Sequence, residues 1–370
     1  MQGTIKKRGK TFTYYFTYTD AEGKKKQASK GGFLTSEDAD MARKRAILEY
    51  KETNFVQRRC QYSLAEYIDY WFENIAQFNL RYESLRLYKT TAKNHIKPEL
   101  GKLPLDKITV TKLQSFFTKK QSDYSPSLTK QLKTILNMVF ELAEEQKLIR
   151  STPMTAVKLS NSKKKRKKKP FTKEELQLLL DELKRTSYYN AVFTAIHTGM
   201  RRGEILGLTW ENLDMENRIV HIKHQLQIQN KEFVLAPTKT ESSERSLKMT
   251  SALYQFFIEL KAYQKEQRFL LGNDYYQGTD FVCCHSNGFP ISPTALTNHF
   301  AYTAKRLEIV GSFHDLRHTH ATMMLEADAN VKILQERLGH ADITTLLNTY
   351  SHKTKKLEDD SIARFDSFFS

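Results

Sequence analysis

The sequence predicts a multidomain chain, mainly α-helical with small β-sheets, and three observations carry that prediction. Its 370 residues exceed the usual size of a single domain. Period-two aromatic alternation near the amino end gives way, from Ser63 onward, to apolar residues repeating at helical spacing. A run of seven basic residues, Lys163 to Lys169, bounded by Ser160-Asn161-Ser162 and Pro170, then separates what precedes it from a last domain. The resulting division is a three-stranded sheet plus helix over residues 1–55, a compact four-helix domain over 60–155, a basic linker over 156–170, and a mixed α+β domain over 171–370.

Each element has a local reason. Tyr14, Phe16 and Tyr18 alternate with Thr13, Tyr15 and Thr17, giving a strand with one aromatic face and one more polar face. Asp20-Ala21-Glu22-Gly23 reads as a hairpin turn, and Lys24, Lys25 and Lys26 open the next strand. Thr35 and Asp38 resemble a capping pair before Ala39, Ala42, Ala46 and Ile47, which recur at helical spacing. A basic ribbon of this kind can enter a DNA groove, while its bland alternative is a solvated sheet face.

Ser63 and Glu66 form a capping box ahead of the stripe Leu64, Tyr67, Ile68, Trp71 and Ile75. Tyr88 to Ile96 suggests a second helix, ended near Pro98 and Gly101; Leu113, Phe116 and Phe117 mark a third. Leu128, Leu132, Ile135, Val139 and Leu142 mark a fourth. These stripes are core, and only the intervening Lys and Arg are candidate phosphate contacts. Lys163, Lys164, Lys165, Arg166, Lys167, Lys168 and Lys169 repel one another and resist folding, hence the linker. A basic linker between two DNA-binding domains would lie along the backbone; a nuclear-localisation signal is the rival reading of the same composition.

Thr172 and Glu175 cap the first helix of the last domain. Two strands are expected over Arg218 to His224 and Gln225 to Leu235, and a third carries Arg245-Ser246-Leu247. Phe313 to Ala327 is expected to be helical, and Leu338-Gly339 to end the next helix with a left-handed cap that projects His340. Leu357, Ile362, Phe365 and Phe369 form a short amphipathic helix that packs either on its own domain or on a neighbouring subunit.

Composition narrows the partner. A formal net charge of +17 suggests nucleic acid, with binding that weakens as salt rises. An anionic membrane is the other common partner of basic proteins, but no uninterrupted apolar run approaches about 20 residues and no lipidation signal is present. The amino end lacks the apolar core of a secretory signal. Cys60, Cys283 and Cys284 make no disulfide framework, and a reducing cytosol is the simplest reading.

The chemistry concentrates in the last domain. Arg201 stands in Thr198-Gly199-Met200-Arg201-Arg202-Gly203-Glu204, where Arg201 and Glu204 would share a helical face. Lys239 lies on the turn into the strand of Arg245, and His314-Asp315-Leu316-Arg317, Leu338-Gly339-His340 and Tyr350 follow. Arginine, histidine and tyrosine together can grip a phosphodiester, move protons and supply an oxygen nucleophile without a metal. The rival metal site is disfavoured: His314, His318 and His320 lack accompanying Cys or Asp/Glu ligands, and arginine beside them would repel a cation. No cofactor and no metal are expected.

On these motifs the last domain resembles the catalytic domain of the tyrosine site-specific recombinases, and the whole layout resembles phage-type and conjugative-element integrases. The resemblance implies an arm-type DNA-binding domain over residues 1–55, a core-binding (SAM-like) domain over 60–155 and a catalytic domain over 171–370. It implies that Tyr350 is the nucleophile, giving a 3′-phosphotyrosyl link and a free 5′-hydroxyl. Arg201 and Arg317 would clamp the non-bridging oxygens, Lys239 would protonate the leaving 5′-oxygen, and His314 would transfer a proton to or from Tyr350. His340 would hydrogen-bond the phosphate, and Glu204 would support the assembly. Lys24, Lys25, Lys26 and Lys163 to Lys169 are the DNA-binding candidates outside that site.

The implied partners are double-stranded core-type and arm-type attachment sites, a homotetramer on synapsed DNA joined through the C-terminal tail, and an accessory DNA-bending or excision factor. The implied setting is the cytoplasm of a bacterial cell. An inactive DNA-binding regulator of the same fold, a chromosome-dimer resolvase, a type IB topoisomerase and a metal-dependent nuclease are the alternatives. The complete set Arg201, Lys239, His314, Arg317, His340 and Tyr350 argues against the first of these.

Overall fold

The structure, a computed structural model, describes residues 3–19, 23–53, 62–160, 169–238, 244–339, 362, 366 and 367. It divides into two compact units, Met1–Lys164 and Lys165–Ser370. The first unit opens with β1 (Gly3–Arg8), β2 (Thr11–Thr19) and β3 (Lys25–Phe33), an antiparallel sheet in the order β1-β2-β3. Alternation along β2 turns Tyr14, Phe16 and Tyr18 to one side, where they pack with Tyr50, Ala42, Ala46 and Ile47 of α1 (Ser36–Thr53). The Tyr18 and Tyr50 rings meet edge to face at 5.6 Å. The expected cap is present: Asp38 N donates to Thr35 Oγ1 at 3.0 Å. Asp20, Ala21 and Glu22 of the expected turn lie outside the described residues.

The helical part of this unit runs from α2 (Leu64–Trp71) through a π-helical turn (Phe72–Ala76) into α3 (Gln77–Asn79). It continues with α4 (Tyr82–Thr91), a second π turn (Ala92–Ile96) and α5 (Lys97–Leu100), then α6 (Val110–Asp123) and α7 (Pro126–Glu145). Ser63 and Glu66 close the capping box reciprocally, which fixes where α2 starts. The π turns change the burial expected from a regular 3.6 period. Each inserts a residue, so Phe72 and Ala76 continue the buried stripe after Trp71 while Ile75 is only partly covered. The second helix also starts earlier than expected, at Tyr82, and runs through Pro98 to Leu100, because that proline sits in the first turn of α5, where no amide donor is needed. Leu113, Phe117, Leu132, Ile135, Leu136, Val139 and Phe140 complete a fully enclosed core.

The second unit contains α8 (Lys173–Leu183), α9 (Tyr189–Thr198), α10 (Arg202–Leu206), β4 (Leu213–Asp214), β5 (Ile219–Ile222), β6 (His224–Gln229), β7 (Glu232–Pro237) and β8 (Arg245–Lys248). α11 (Ser251–Leu271), α12 (Pro293–Arg306), α13 (Asp315–Glu326) and α14 (Val331–Leu338) follow. The strands form a three-stranded sheet, β4-β5-β8, and a separate hairpin, β6-β7. The single strand expected over Gln225 to Leu235 is therefore that hairpin. Gln229 pairs with Glu232, and Asn230 and Lys231 between them adopt φ of 51° and 71°, the left-handed pair that turns a two-residue hairpin. Thr172 and Glu175 form the capping box of α8. Val192, Ile205, Leu206, Val220, Leu253, Phe257, Leu296, Phe300 and Leu316 build the core over which the loops of the site are stretched. Of the four apolar residues of the C-terminal amphipathic stretch, Ile362 is described, helical and exposed; Leu357, Phe365 and Phe369 lie outside the described residues. Among the described residues no helix is long and apolar enough to cross a membrane.

Candidate active site

The site begins where α9 stops. Gly199 takes φ of 65°, the left-handed conformation that ends a helix, and leaves its carbonyl exposed to a side chain rather than to the helix. Two residues on, Arg201 is extended, at φ −72° and ψ 151°, and is the N-cap of α10. It thus precedes the helix on which a shared face with Glu204 was expected, although the two residues do meet. Glu204 Oε2 accepts from the Arg201 amide at 2.9 Å, and Glu204 Oε1 from Arg201 Nη1 at 2.7 Å. Glu204 is only 3% exposed. A carboxylate buried so deeply needs charged donors, and a second one arrives from β8, where Arg245 Nη2 donates to Glu204 Oε2 at 2.9 Å. Burial pushes the Glu204 carboxyl up, but the hydrogen bond and charge of Arg245, and then the bonds from Arg201, outweigh it and hold the group below its ordinary range.

Arg317 comes from the first turn of α13, whose N-cap is His314. Its Nη1 donates to the Gly199 carbonyl at 2.7 Å and its Nη2 to the Leu338 carbonyl. Burial, followed by repulsion from Arg201 and Arg245, lowers its pKa from 12.5 to about 9, so the guanidinium keeps its charge at neutral pH. His314 is exposed, and its ring meets that of His318 edge to face at 5.5 Å.

These arginines converge on one feature, the C-terminal end of α14. The last carbonyls of a helix have no partner within it. Here Arg337 O accepts from Arg245 Nε at 2.7 Å, Leu338 O from Arg317 Nη2, and Gly339 O from Arg201 Nη2 at 2.8 Å. Gly339 is left-handed, at φ 62°, as the Leu338-Gly339 pair predicted. Three consecutive carbonyls are thus each held by a different arginine, and the partial negative charge of a helix C-terminus suits them. Arg337 itself turns the other way. Its Nη2 donates to His197 O at 2.9 Å, its Nη1 to Lys248 O at 3.1 Å and its Nε to His320 Nε2 at 3.1 Å. Arginine only donates, so His320 Nε2 must accept and the ring proton resides on Nδ1, which donates to Ile196 O at 2.8 Å. Burial and then the Arg337 charge push the His320 pKa down to about 4.

The structure therefore brings Arg201, Glu204 and Arg317 together and places His314 at the head of the helix carrying Arg317. Lys239, His340 and Tyr350 lie outside the described residues; Lys239 directly follows Thr238, and His340 directly follows the Gly339 cap. Lys163, Lys164, Lys165, Arg166, Lys167 and Lys168 also lie outside them, while Lys169 is exposed. At the other end of the chain, Lys25 and Lys26 pair with Thr19 and Tyr18, so pleat alternation directs them to opposite faces of the sheet. The outward face carries Lys25, Gln27, Tyr15 and Lys6, with the Lys6 ammonium 5.8 Å from the Tyr15 ring centre.

Sequence reading did not single out Arg245, Arg337 or His320 as parts of the site. One signal for Arg245 exists, an arginine alternating with a core leucine, Leu247, in a short strand, but most such arginines face solvent. Among the described residues, no group of three or more His, Cys, Asp or Glu is arranged to hold a metal ion.

Comparison with known proteins follows the same divisions. Residues 169–356 match the model of the phage integrase family, residues 63–121 that of the phage integrase N-terminal SAM-like domain, and residues 4–50 that of an arm DNA-binding domain. The XerC-like tyrosine recombinase of Caldanaerobacter subterraneus is 23% identical over 326 residues, 83% of each chain. The transposase of transposon Tn916 from Enterococcus faecalis is 32% identical over 176 residues, covering 45% of this chain and 42% of its own. The ICEBs1 integrase of Bacillus subtilis is 24% identical over 275 residues, 72% of this chain and 73% of its own. Among solved structures, the Tn1549 transposon integrase in complex with a circular intermediate DNA superposes with a TM-score of 0.69 at 21% identity, over 82% of this chain and 100% of that one. A lambda integrase tetramer bound to a Holliday junction gives 0.58 at 17% identity, over 92% and 96%. Both share the fold.

Proposed function

The chain belongs to the phage integrase family and is a site-specific recombinase that breaks and rejoins DNA, and from that premise we propose how its own residues divide the reaction. Tyr350 Oη attacks the scissile phosphorus. The phosphorus–O5′ bond breaks, the 3′-phosphate becomes esterified to Tyr350, and Lys239 gives its proton to the departing 5′-oxygen. Attack by a 5′-hydroxyl from the partner strand reverses these bonds, so ligation needs no external energy source. A phenol with a reference pKa of about 10 needs a base and a positive field to attack at neutral pH; His314 is the base, and the arginines supply the field.

The observation that carries the reading is the pair of bonds Arg201 to Gly339 O and Arg317 to Leu338 O. Two guanidiniums from separate segments are fixed on adjacent carbonyls of the cap from which His340 continues, Arg201 partly exposed and Arg317 buried, so a phosphate at Arg201 meets both positive charges. Preorganised donors of this kind stabilise the equatorial oxygens of a pentacovalent phosphorus more than those of the ground state. Glu204 supports Arg201, and His340 donates to the same phosphate.

The three matched segments support a division into an arm-type DNA-binding domain over 1–55, a core-binding domain over 60–155, the linker over 156–170 and a catalytic domain over 171–370. The reading includes integration and excision of a mobile element, double-stranded core and arm sites as substrates, a tetramer on synapsed DNA coupled through the C-terminal tail, and an accessory DNA-bending or excision factor. Lys25 on the outward sheet face and the Lys163 to Lys169 run contact phosphates.

The test is covalent trapping on a nicked duplex spanning the boundary of the element that carries the coding sequence, with chelator present. A protein–DNA adduct surviving denaturation is expected from the parent and not from Tyr350→Phe. An adduct from the Tyr350→Phe variant would move the nucleophile elsewhere, and no adduct from a parent that binds the duplex would remove the reading.

A further inference from the structure

The Arg245 side chain is buried, with 7% of it exposed. Two of its contacts bear on the phosphate site. Nη2 donates to Glu204 Oε2 at 2.9 Å, and Nε donates to Arg337 O at 2.7 Å. Glu204 is shared, since its other oxygen accepts from Arg201 Nη1 at 2.7 Å. Of the two arginines on that carboxylate, Arg201 is the one that reaches the surface, with 36% of its side chain exposed.

Electrostatics decides what this sharing does. One carboxylate facing one arginine leaves no net charge for a ligand. Among the described residues, Arg201 and Arg317 against Glu204 leave one positive charge, and Arg245 on the far oxygen raises it to two. Phosphodiester cleavage by a phenolate passes through a dianionic pentacovalent phosphorus, so that surplus matches the transition state. The second contact acts on geometry. The Arg337 carbonyl is two residues before Gly339, whose carbonyl holds Arg201, and three before His340.

We propose that Arg245 is a positioning residue of the recombination reaction. It takes up the charge of Glu204, so that Arg201 keeps its own for the phosphate, and it fixes the end of α14 from which His340 continues. This rests on the phosphate reading of Arg201 given above.

The experiment is single-turnover cleavage of the same nicked duplex by full-length variants, with duplex affinity and melting temperature measured alongside. Arg245→Gln is expected to slow cleavage about 10²-fold while leaving duplex affinity within about twofold of the parent, the signature of an effect on the chemical step. Removing the unbalanced carboxylate should then restore activity: Arg245→Gln with Glu204→Gln is expected to cleave at least about tenfold faster than Arg245→Gln alone, a rescue that a purely structural role does not produce. Arg245→Lys keeps the charge and loses the fork, and is expected to slow cleavage about tenfold with affinity intact. A double variant as slow as Arg245→Gln overturns the proposal. If Arg245→Gln does not fold, Arg245→Lys decides alone, and cleavage at the parent's rate overturns the proposal. Absence of any adduct from the parent would instead sink the recombinase chemistry itself, so the two failures are distinct.

Discussion

Arg201 Nη2 donates to the carbonyl of Gly339 at 2.8 Å, tying the start of α10 to the cap of α14. With the matching bonds from Arg317 to Leu338 and from Arg245 to Arg337, the carbonyl end of one helix becomes the template on which three guanidiniums are set. Their mutual repulsion is offset before DNA arrives, by Glu204 and by the negative end of the α14 dipole. The arrangement is therefore preorganised, and the substrate does not have to assemble it.

Arg317→Lys tests the fork. Lysine keeps a positive charge but cannot span the Gly199 and Leu338 carbonyls that Arg317 bridges. Cleavage in a single turnover is expected to fall by about 10²-fold or more. The unfolding free energy should also fall, by about 2 kcal/mol, as a buried carbonyl loses its partner. A variant that cleaves at the parental rate would show that charge alone suffices at this position.

Gly199→Ala tests whether the turn before Arg201 has room for a side chain. At φ 65° a Cβ is strained, and it would stand 2.6 Å from His320 Cδ2 and 2.9 Å from Leu338 Cδ2. The expected loss of stability is at least about 2 kcal/mol. Gly9→Ala is the control: its φ is 60° but nothing lies within 4 Å of the added atom, so about 1 kcal/mol from backbone strain alone is expected. Equal losses measured by denaturant titration would discount the clash.

His320 gives the fold an acid-side weakness of known sign. Burial and the Arg337 donor favour the neutral ring, with the pKa lowered from 6.5 to about 4. The stabilisation is complete above pH 6.5 and is lost as the pH falls through about 4. Roughly 3 kcal/mol of unfolding free energy is expected to vanish across that window. Unfolding curves at stepped pH should show this slope in the parent and a flatter one in His320→Gln; identical slopes would assign the dependence to another group.

Lys239→Ala addresses the leaving group. Cleavage of an ordinary duplex should slow sharply, whereas a duplex with a bridging 5′-sulfur, whose thiolate leaves without a proton, should be cut by the variant nearly as fast as by the parent. Unrescued cleavage of the sulfur substrate would take the general-acid role away from Lys239.

Much of the architecture could be read from neighbouring residues because the forces are local. Ser63 with Glu66 and Thr172 with Glu175 satisfy orphan amides within one turn, and Gly339 ends α14 through its own backbone freedom. Where the local signal is weak, the fold departs from what neighbouring residues predict. Asn230 and Lys231 turn a hairpin without a glycine to announce it, so the sequence predicts one strand where the structure has two. The π turns at Phe72–Ala76 and Ala92–Ile96 leave no mark on a periodicity that assumes a regular helix.

The sequence by itself determined the chemistry available: arginines, histidines and a tyrosine in motifs that suit a phosphodiester, on a chain carrying +17. Only the tertiary structure decided how part of that set is wired. It assigned Glu204 to two arginines at once, set Arg317 between the Gly199 and Leu338 carbonyls, and brought Arg245 in from a strand to complete the balance. Capping and propensity act over a few residues, whereas the partner of a buried charge is chosen by whichever distant donors packing brings within reach.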